Sequence, residues 1–150
     1  MQQRAAVGDL HPIVLFFIAV AASALAACGA SPITASRIED AVAPTFSNLV
    51  QAQVSSIGLP SIRPADLMAT ALCRRLASEA AGAGDWTCTL VWLGPQGQWL
   101  RDTYDVAVST DGCYTASVAG EALGGPTLKT RDGRSVRNLL YAFDGCFDIT

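Results

Sequence analysis

Five cysteines, one histidine and a set of aspartates are the residues of this chain with chemistry to offer. The histidine, His11, stands just ahead of the apolar run Ile13–Leu25, so the body of the chain has none. That excludes Ser-His-Asp and Cys-His nucleophilic catalysis, His-ligated zinc and imidazole proton shuttles. Lys129 is the only lysine, and no motif sets a serine beside it as a nucleophile. Asp102 with Asp105, and Asp144 with Asp148, are close enough in sequence to suggest the acid and base of a glycan hydrolase. Residues three apart on a strand point to opposite faces, which weakens the first pair. Asp144-Gly145 reads as a turn, like Asp111-Gly112 and Asp132-Gly133. The oxygen ligands around Asp144 and Asp148 are too sparse for a calcium loop. The expectation is no metal and no cofactor.

Cys73, Cys88, Cys113 and Cys146 form an even set without C-x-x-C spacing, which argues against a zinc ribbon or a thioredoxin-like redox site. In an oxidising compartment they read as two disulfides, with three possible pairings. Trp86, Trp92 and Trp99 could stack on a sugar or a peptide, although burial of Trp86 and Trp92 beneath a helix is the more economical reading. Trp99, beside a polar loop, is the one aromatic residue placed for ligand contact. Lys129, Arg131, Arg134 and Arg137 make a small basic cluster, more often a solvated turn than an anion site. The net charge of −3 lacks the basic footprint of a nucleic-acid binder.

The fifth cysteine closes the stretch Leu25-Ala26-Ala27-Cys28, followed by Gly29. It resembles the lipobox of bacterial lipoproteins, whose cysteine takes a diacylglyceryl thioether and becomes the first mature residue. Ile13–Leu25 has the length of a signal-peptide apolar region and is too short for a transmembrane helix, which needs about 20 residues. The resemblance implies residues 1–27 as signal peptide, 28–35 as a lipidated flexible tether rich in small residues, and 36–150 as one extracytoplasmic domain. One acyl chain holds a protein only marginally, at about 0.8 kcal/mol per buried methylene, whereas two make a stable anchor. Arg4 and Asp9 are the only charges ahead of Cys28, so cleavage leaves the net charge unchanged.

The elements that must position these residues follow from periodicity. Ser36-Arg37-Ile38-Glu39 has the form of a capping box, and Ile38, Val42, Phe46, Leu49, Val50 and Val54 then recur at helical spacing to about Ser55. Pro44 is expected to kink or divide this amphipathic helix. Residues 65–76 fit a helix by propensity and a strand by the alternation of Leu67, Ala69, Ala71 and Cys73. Trp86–Leu93 is β-branched and aromatic, with Trp86, Cys88, Leu90 and Trp92 on one face. A second strand runs from about Trp99 to Ser109, with Tyr104, Val106 and Val108 on one face. A two-residue turn at Asp111-Gly112 leads into a third, Cys113–Val118. Thr127–Thr130 is expected as a short edge strand, and Asn138–Phe147 as a helical turn or a strand clamped by Cys146. The favoured pairing is Cys73–Cys88 with Cys113–Cys146, the first joining adjacent elements and the second tying the last segment to the middle of the sheet.

Several segments are similar to those of a group of small bacterial lipoproteins and secreted proteins without an assigned activity. They are Arg37–Phe46, Gly84-Asp85-Trp86-Thr87-Cys88, Tyr104-Asp105-Val106, Asp111–Ala116 and Phe143–Asp148. The resemblance implies a secreted α+β domain with paired cysteines, favours Cys73 on a strand, and transfers no catalytic residue. The stretch Leu76–Gly84 departs from that pattern by its length. The expected architecture is therefore α+β, an N-terminal amphipathic helix on an antiparallel sheet of 3–5 strands, stapled by two disulfides. The expected role is non-enzymatic binding of an envelope protein at the extracytoplasmic face of the cell membrane. An aspartate-based envelope enzyme and an inhibitor acting through the Trp99 loop are the rivals.

Overall fold

A computed structural model describes residues 32–120 and 123–150. The lipobox, Cys28 and the signal segment lie outside the described residues. Helix α1 (Ala35–Ser56) comes first, then a 3-10 turn (Pro64–Leu67). Strands β1 (Thr70–Arg75), β2 (Gly84–Leu93), β3 (Trp99–Val108), β4 (Cys113–Val118), β5 (Thr127–Lys129), β6 (Ser135–Arg137) and β7 (Ala142–Cys146) follow. The main sheet is antiparallel in the order β1-β2-β3-β4-β7, and β5 pairs with β6 in a separate two-stranded sheet. The fold is α+β with two disulfides, Cys73–Cys88 and Cys113–Cys146.

The helix forms because its apolar residues line up over one stripe. Ile38, Val42, Phe46 and Val50 are buried at four-residue spacing against the sheet. Its cap differs from the expected box. Thr34 is the N-cap, its hydroxyl accepting from the Arg37 N–H at 3.4 Å. Glu39 does not turn back; its Oε1 accepts from the Cys73 N–H at 2.8 Å, on β1. Pro44 does not divide the helix, which runs unbroken through it. At the far end Leu59 N–H reaches the Val54 carbonyl (3.0 Å) and Gly58 N–H the Ser55 carbonyl (3.2 Å), a Schellman closure.

Residues 65–76 resolve as both alternatives in succession, a short 3-10 turn and then strand β1. On β2 every second residue is buried, from Trp86 through Cys88 and Leu90 to Trp92. Tyr104, Val106 and Val108 do the same on β3. Phe46 inserts between the Trp92 ring, with centroids 4.9 Å apart, and the Tyr104 ring at 6.2 Å. Tyr104 in turn meets Phe143 edge-on at 5.3 Å. This aromatic row is the centre of the core.

Two turn readings are corrected. The β3–β4 loop has three residues, not two: Ser109 N–H donates to the Cys113 carbonyl (2.8 Å) and Gly112 N–H to Ser109 (3.1 Å). Gly112 takes φ +82°, and a Cβ there would lie 2.5 Å from the Phe147 carbonyl oxygen, so glycine is required twice over. Asp144-Gly145 is not a turn at all but lies inside β7. Gly145 is opposite Tyr114, whose ring lies over it; a Cβ at 145 would sit 2.6 Å from the phenol oxygen. That phenol is held by Thr45 Oγ1 (3.0 Å), so the ring cannot swing away. Gly145→Ala should therefore cost about 1–3 kcal/mol by overpacking, read as a lower denaturation midpoint. The short strand expected at Thr127–Thr130 is present as β5 (Thr127–Lys129), paired with β6 across the Asp132-Gly133 turn in the separate two-stranded sheet.

Candidate functional site

Helix α1 covers one face of the five-stranded sheet, and the other face is left to solvent. Threonines and charges line that outer face because strand alternation sends every residue between the core positions to it. Thr87, Asp105 and Ser117 form one cross-strand row, and Asp85, Ala107, Thr115 and Asp144 form the next. A shallow concavity of about 670 Å³ spans the second row and the Cys113–Cys146 disulfide.

The two disulfides staple opposite faces of the sheet. Cys73 and Cys88 are directly paired across β1 and β2 and face the core, at 6% and 0% exposure. Cys113 and Cys146 are directly paired across β4 and β7 and face outward. The second disulfide ties the last strand to its neighbour at the sheet's edge, not to the middle of the sheet.

The candidate acid–base pairs do not assemble. Asp102 faces the core side of β3 with 9% exposure, while Asp105 is exposed on the outer face. Asp144 stands on the outer face of β7, whereas Asp148 lies past the strand end with its Oδ1 accepting from the Thr150 N–H (2.8 Å) and hydroxyl (2.6 Å). Those bonds hold the Asp148 carboxyl below the usual carboxylate range, as hydrogen bonds from Ser109 and from Thr130 do for Asp111 and Asp132. Asp85 and Asp144 share a concavity but are three strands apart, about 14 Å, too wide for paired carboxylates on one glycosidic bond. Asp85 and Asp105 are diagonal neighbours on β2 and β3, within reach of one ligand. Both are exposed on the outer face of the sheet.

Trp99 is 58% exposed at the start of β3, directly after the Gly94–Gln98 turn, while Trp86 and Trp92 are buried in the core. Lys129, Arg131, Arg134 and Arg137 are all exposed on the β5–β6 hairpin, with Arg134 paired to Asp132 at 2.7 Å. Among the described residues there is no group of three or more histidine, cysteine, aspartate or glutamate side chains able to hold a metal.

Five polar residues whose roles were missed in the sequence hold these surfaces in place. Arg75 fills the Leu76–Gly84 loop from inside, donating to the Ala81 carbonyl (2.6 Å) and to Ala83 and Glu79. Gln53, buried on the stripe of α1, accepts from the Leu139 N–H at 2.6 Å. Asn138, 1% exposed, donates to the Leu123 and Gly125 carbonyls at 2.9 Å each. The Tyr104 hydroxyl donates to the Leu140 carbonyl at 2.7 Å, and burial together with the Asp102 carboxylate pushes its pKa well up, keeping it a donor. The fifth is Glu39 of α1, which accepts from the edge N–H of Cys73 on β1. Gln53 carried a readable signal, a polar side chain on an apolar helical stripe. The others became meaningful only once the chain was folded.

Comparison with protein-family models, curated proteins and solved structures returned no match to this chain.

Proposed function

We propose that the protein is a lipid-anchored, extracytoplasmic binding module of the cell envelope, attached through Cys28 and without an enzymatic step of its own. The observation that carries this reading is the rigid display of an uncovered sheet face, stapled by a disulfide on each side of the sheet. Preorganised surfaces lose little freedom on association, which suits recognition. Two disulfides also fit an oxidising compartment, and the lipobox-like Leu25-Ala26-Ala27-Cys28 supports the anchor.

The anchor would hold the domain close and in one orientation. Ile33 is already part of the core, and its carbonyl accepts from the Gly82 N–H at 2.7 Å. Fully extended, the chain from Cys28 to Ile33 spans at most about 17 Å. The first turn of α1, the Ser109–Gly112 turn and the C-terminal tail would then lie nearest the membrane. Trp99 and the Gly94–Gln98 turn sit at the other end of α1, which is about 33 Å long, and would face the envelope interior. Mass spectrometry of the mature N-terminus tests the anchor: the expected product begins at a diacylglyceryl-modified Cys28, and an unmodified N-terminus contradicts it.

A second reading has one observation in its favour, the neighbouring Asp85 and Asp105 on an accessible face. It would make the protein a glycan-acting envelope enzyme. Turnover of cell-wall fragments by wild type, lost in Asp105→Asn, would support it, and no turnover by wild type removes it.

A further inference from the structure

The two edges of the main sheet are treated differently by the fold. On β1 the Cys73 N–H would point into solvent, and α1 closes it with the Glu39 carboxylate at 2.8 Å. On β7 there is no such cover. The Phe147 N–H donates to Gly112 (3.1 Å) and the Val118 N–H to Tyr141 (3.0 Å), which sets the phase of the ladder. Tyr141, Phe143, Gly145 and Phe147 therefore face β4, and Ala142, Asp144 and Cys146 turn their N–H and C=O groups to the open side. Among the described residues none of these six groups has a partner. A groove of about 570 Å³ continues from Cys146 to the first turn of α1, with Asp40 and Asp148 on its walls. Its one cation, Arg37, is already engaged by the Asp148 carbonyl.

From this arrangement we infer that the β7 edge receives an extended, basic peptide segment of a partner protein as a sixth strand. The inference rests on the binding-module reading and names its surface and partner class. Main-chain bonding to an open edge supplies affinity in such additions, and side chains at alternate positions supply specificity. Here Asp144, Asp40 and Asp148 select for lysine or arginine. The same charge disfavours a second copy, since antiparallel pairing of two β7 edges about Asp144 sets like charges opposite each other. The Cys113–Cys146 disulfide holds β7 on β4, so the edge is rigid before the peptide arrives.

The test is selection of random dodecapeptides on phage against the purified, disulfide-intact protein, followed by affinity measurements with the enriched peptides. Ala142→Pro removes one edge donor, keeps the charge and breaks no bond to β4, so it should fold as wild type does. The expected result is enriched peptides with basic residues at alternate positions, binding Ala142→Pro and Asp144→Asn each about tenfold more weakly. In the wild type, the Ala142, Asp144 and Cys146 amides should gain hydrogen-exchange protection when the peptide is added, a readout independent of either variant. No enrichment, undiminished affinity for both variants, or protection elsewhere on the molecule overturns the inference. So does a concentration-dependent wild-type dimer that Ala142→Pro abolishes, which would give the edge to a second copy. Failure here while an anchor-dependent partner is still found in cells discards the edge alone. Peptide binding without any anchor-dependent partner discards the envelope reading instead.

Discussion

Reduction of both disulfides should unfold the domain. The loops they close have sequence separations of 15 and 33 residues. Chain-entropy arithmetic gives those loops about 3 and about 4 kcal/mol. Their sum is about the size of the whole stability of a typical domain, about 5–15 kcal/mol. The two bonds should not break together. Cys113–Cys146 lies on the solvent face and is open to a dithiol reductant, whereas Cys73–Cys88 lies under α1 and is reached only once the core opens. Titration with dithiothreitol, followed by thiol alkylation and peptide mapping, should label Cys113 and Cys146 first with the far-ultraviolet spectrum retained. Labelling of Cys73 and Cys88 should coincide with loss of structure. Equal labelling of all four in a folded protein would contradict the placement of the two bonds.

Phe46→Ala should cost about 3–5 kcal/mol, the range for emptying a buried aromatic site. Phe46 is fully buried, and its ring meets both the Trp92 and Tyr104 rings. Its loss would leave a cavity between the helix and the aromatic row of the sheet. Phe46→Leu refills part of that volume and should cost much less. Urea unfolding monitored by tryptophan fluorescence checks both, through a fall in midpoint with an unchanged slope. A Phe46→Ala midpoint within error of wild type would mean that α1 is not seated as described.

Much of the fold was legible because it rests on periodicity. The alternation from Trp86 to Trp92 and from Tyr104 to Val108 assigns faces to both long strands, and the stripe from Ile38 to Val50 assigns a face to α1. The Cys73–Cys88 pairing was legible because it joins adjacent elements, whereas Cys113–Cys146 joins β4 to the edge strand β7, where the expected tie was to the middle of the sheet. What escaped depends on distant partners. Ser36 and Glu39 match a capping box locally, yet the carboxylate bonds better to an edge N–H on β1 than to its own helix start. Asp144-Gly145 matches a turn locally, and only Tyr114 packed over Gly145 from the next strand explains the glycine. The open β7 edge could not be read from composition, because it is defined by which strand lacks a neighbour.

The central claim is that the protein binds a partner from an anchored position. Chemical cross-linking in intact cells, affinity purification and mass spectrometry test it most directly, with Cys28→Ala beside wild type. The account predicts a specific envelope protein recovered with wild type and lost with Cys28→Ala. Recovery of the same partner by both forms, or of no specific partner by wild type, would contradict it.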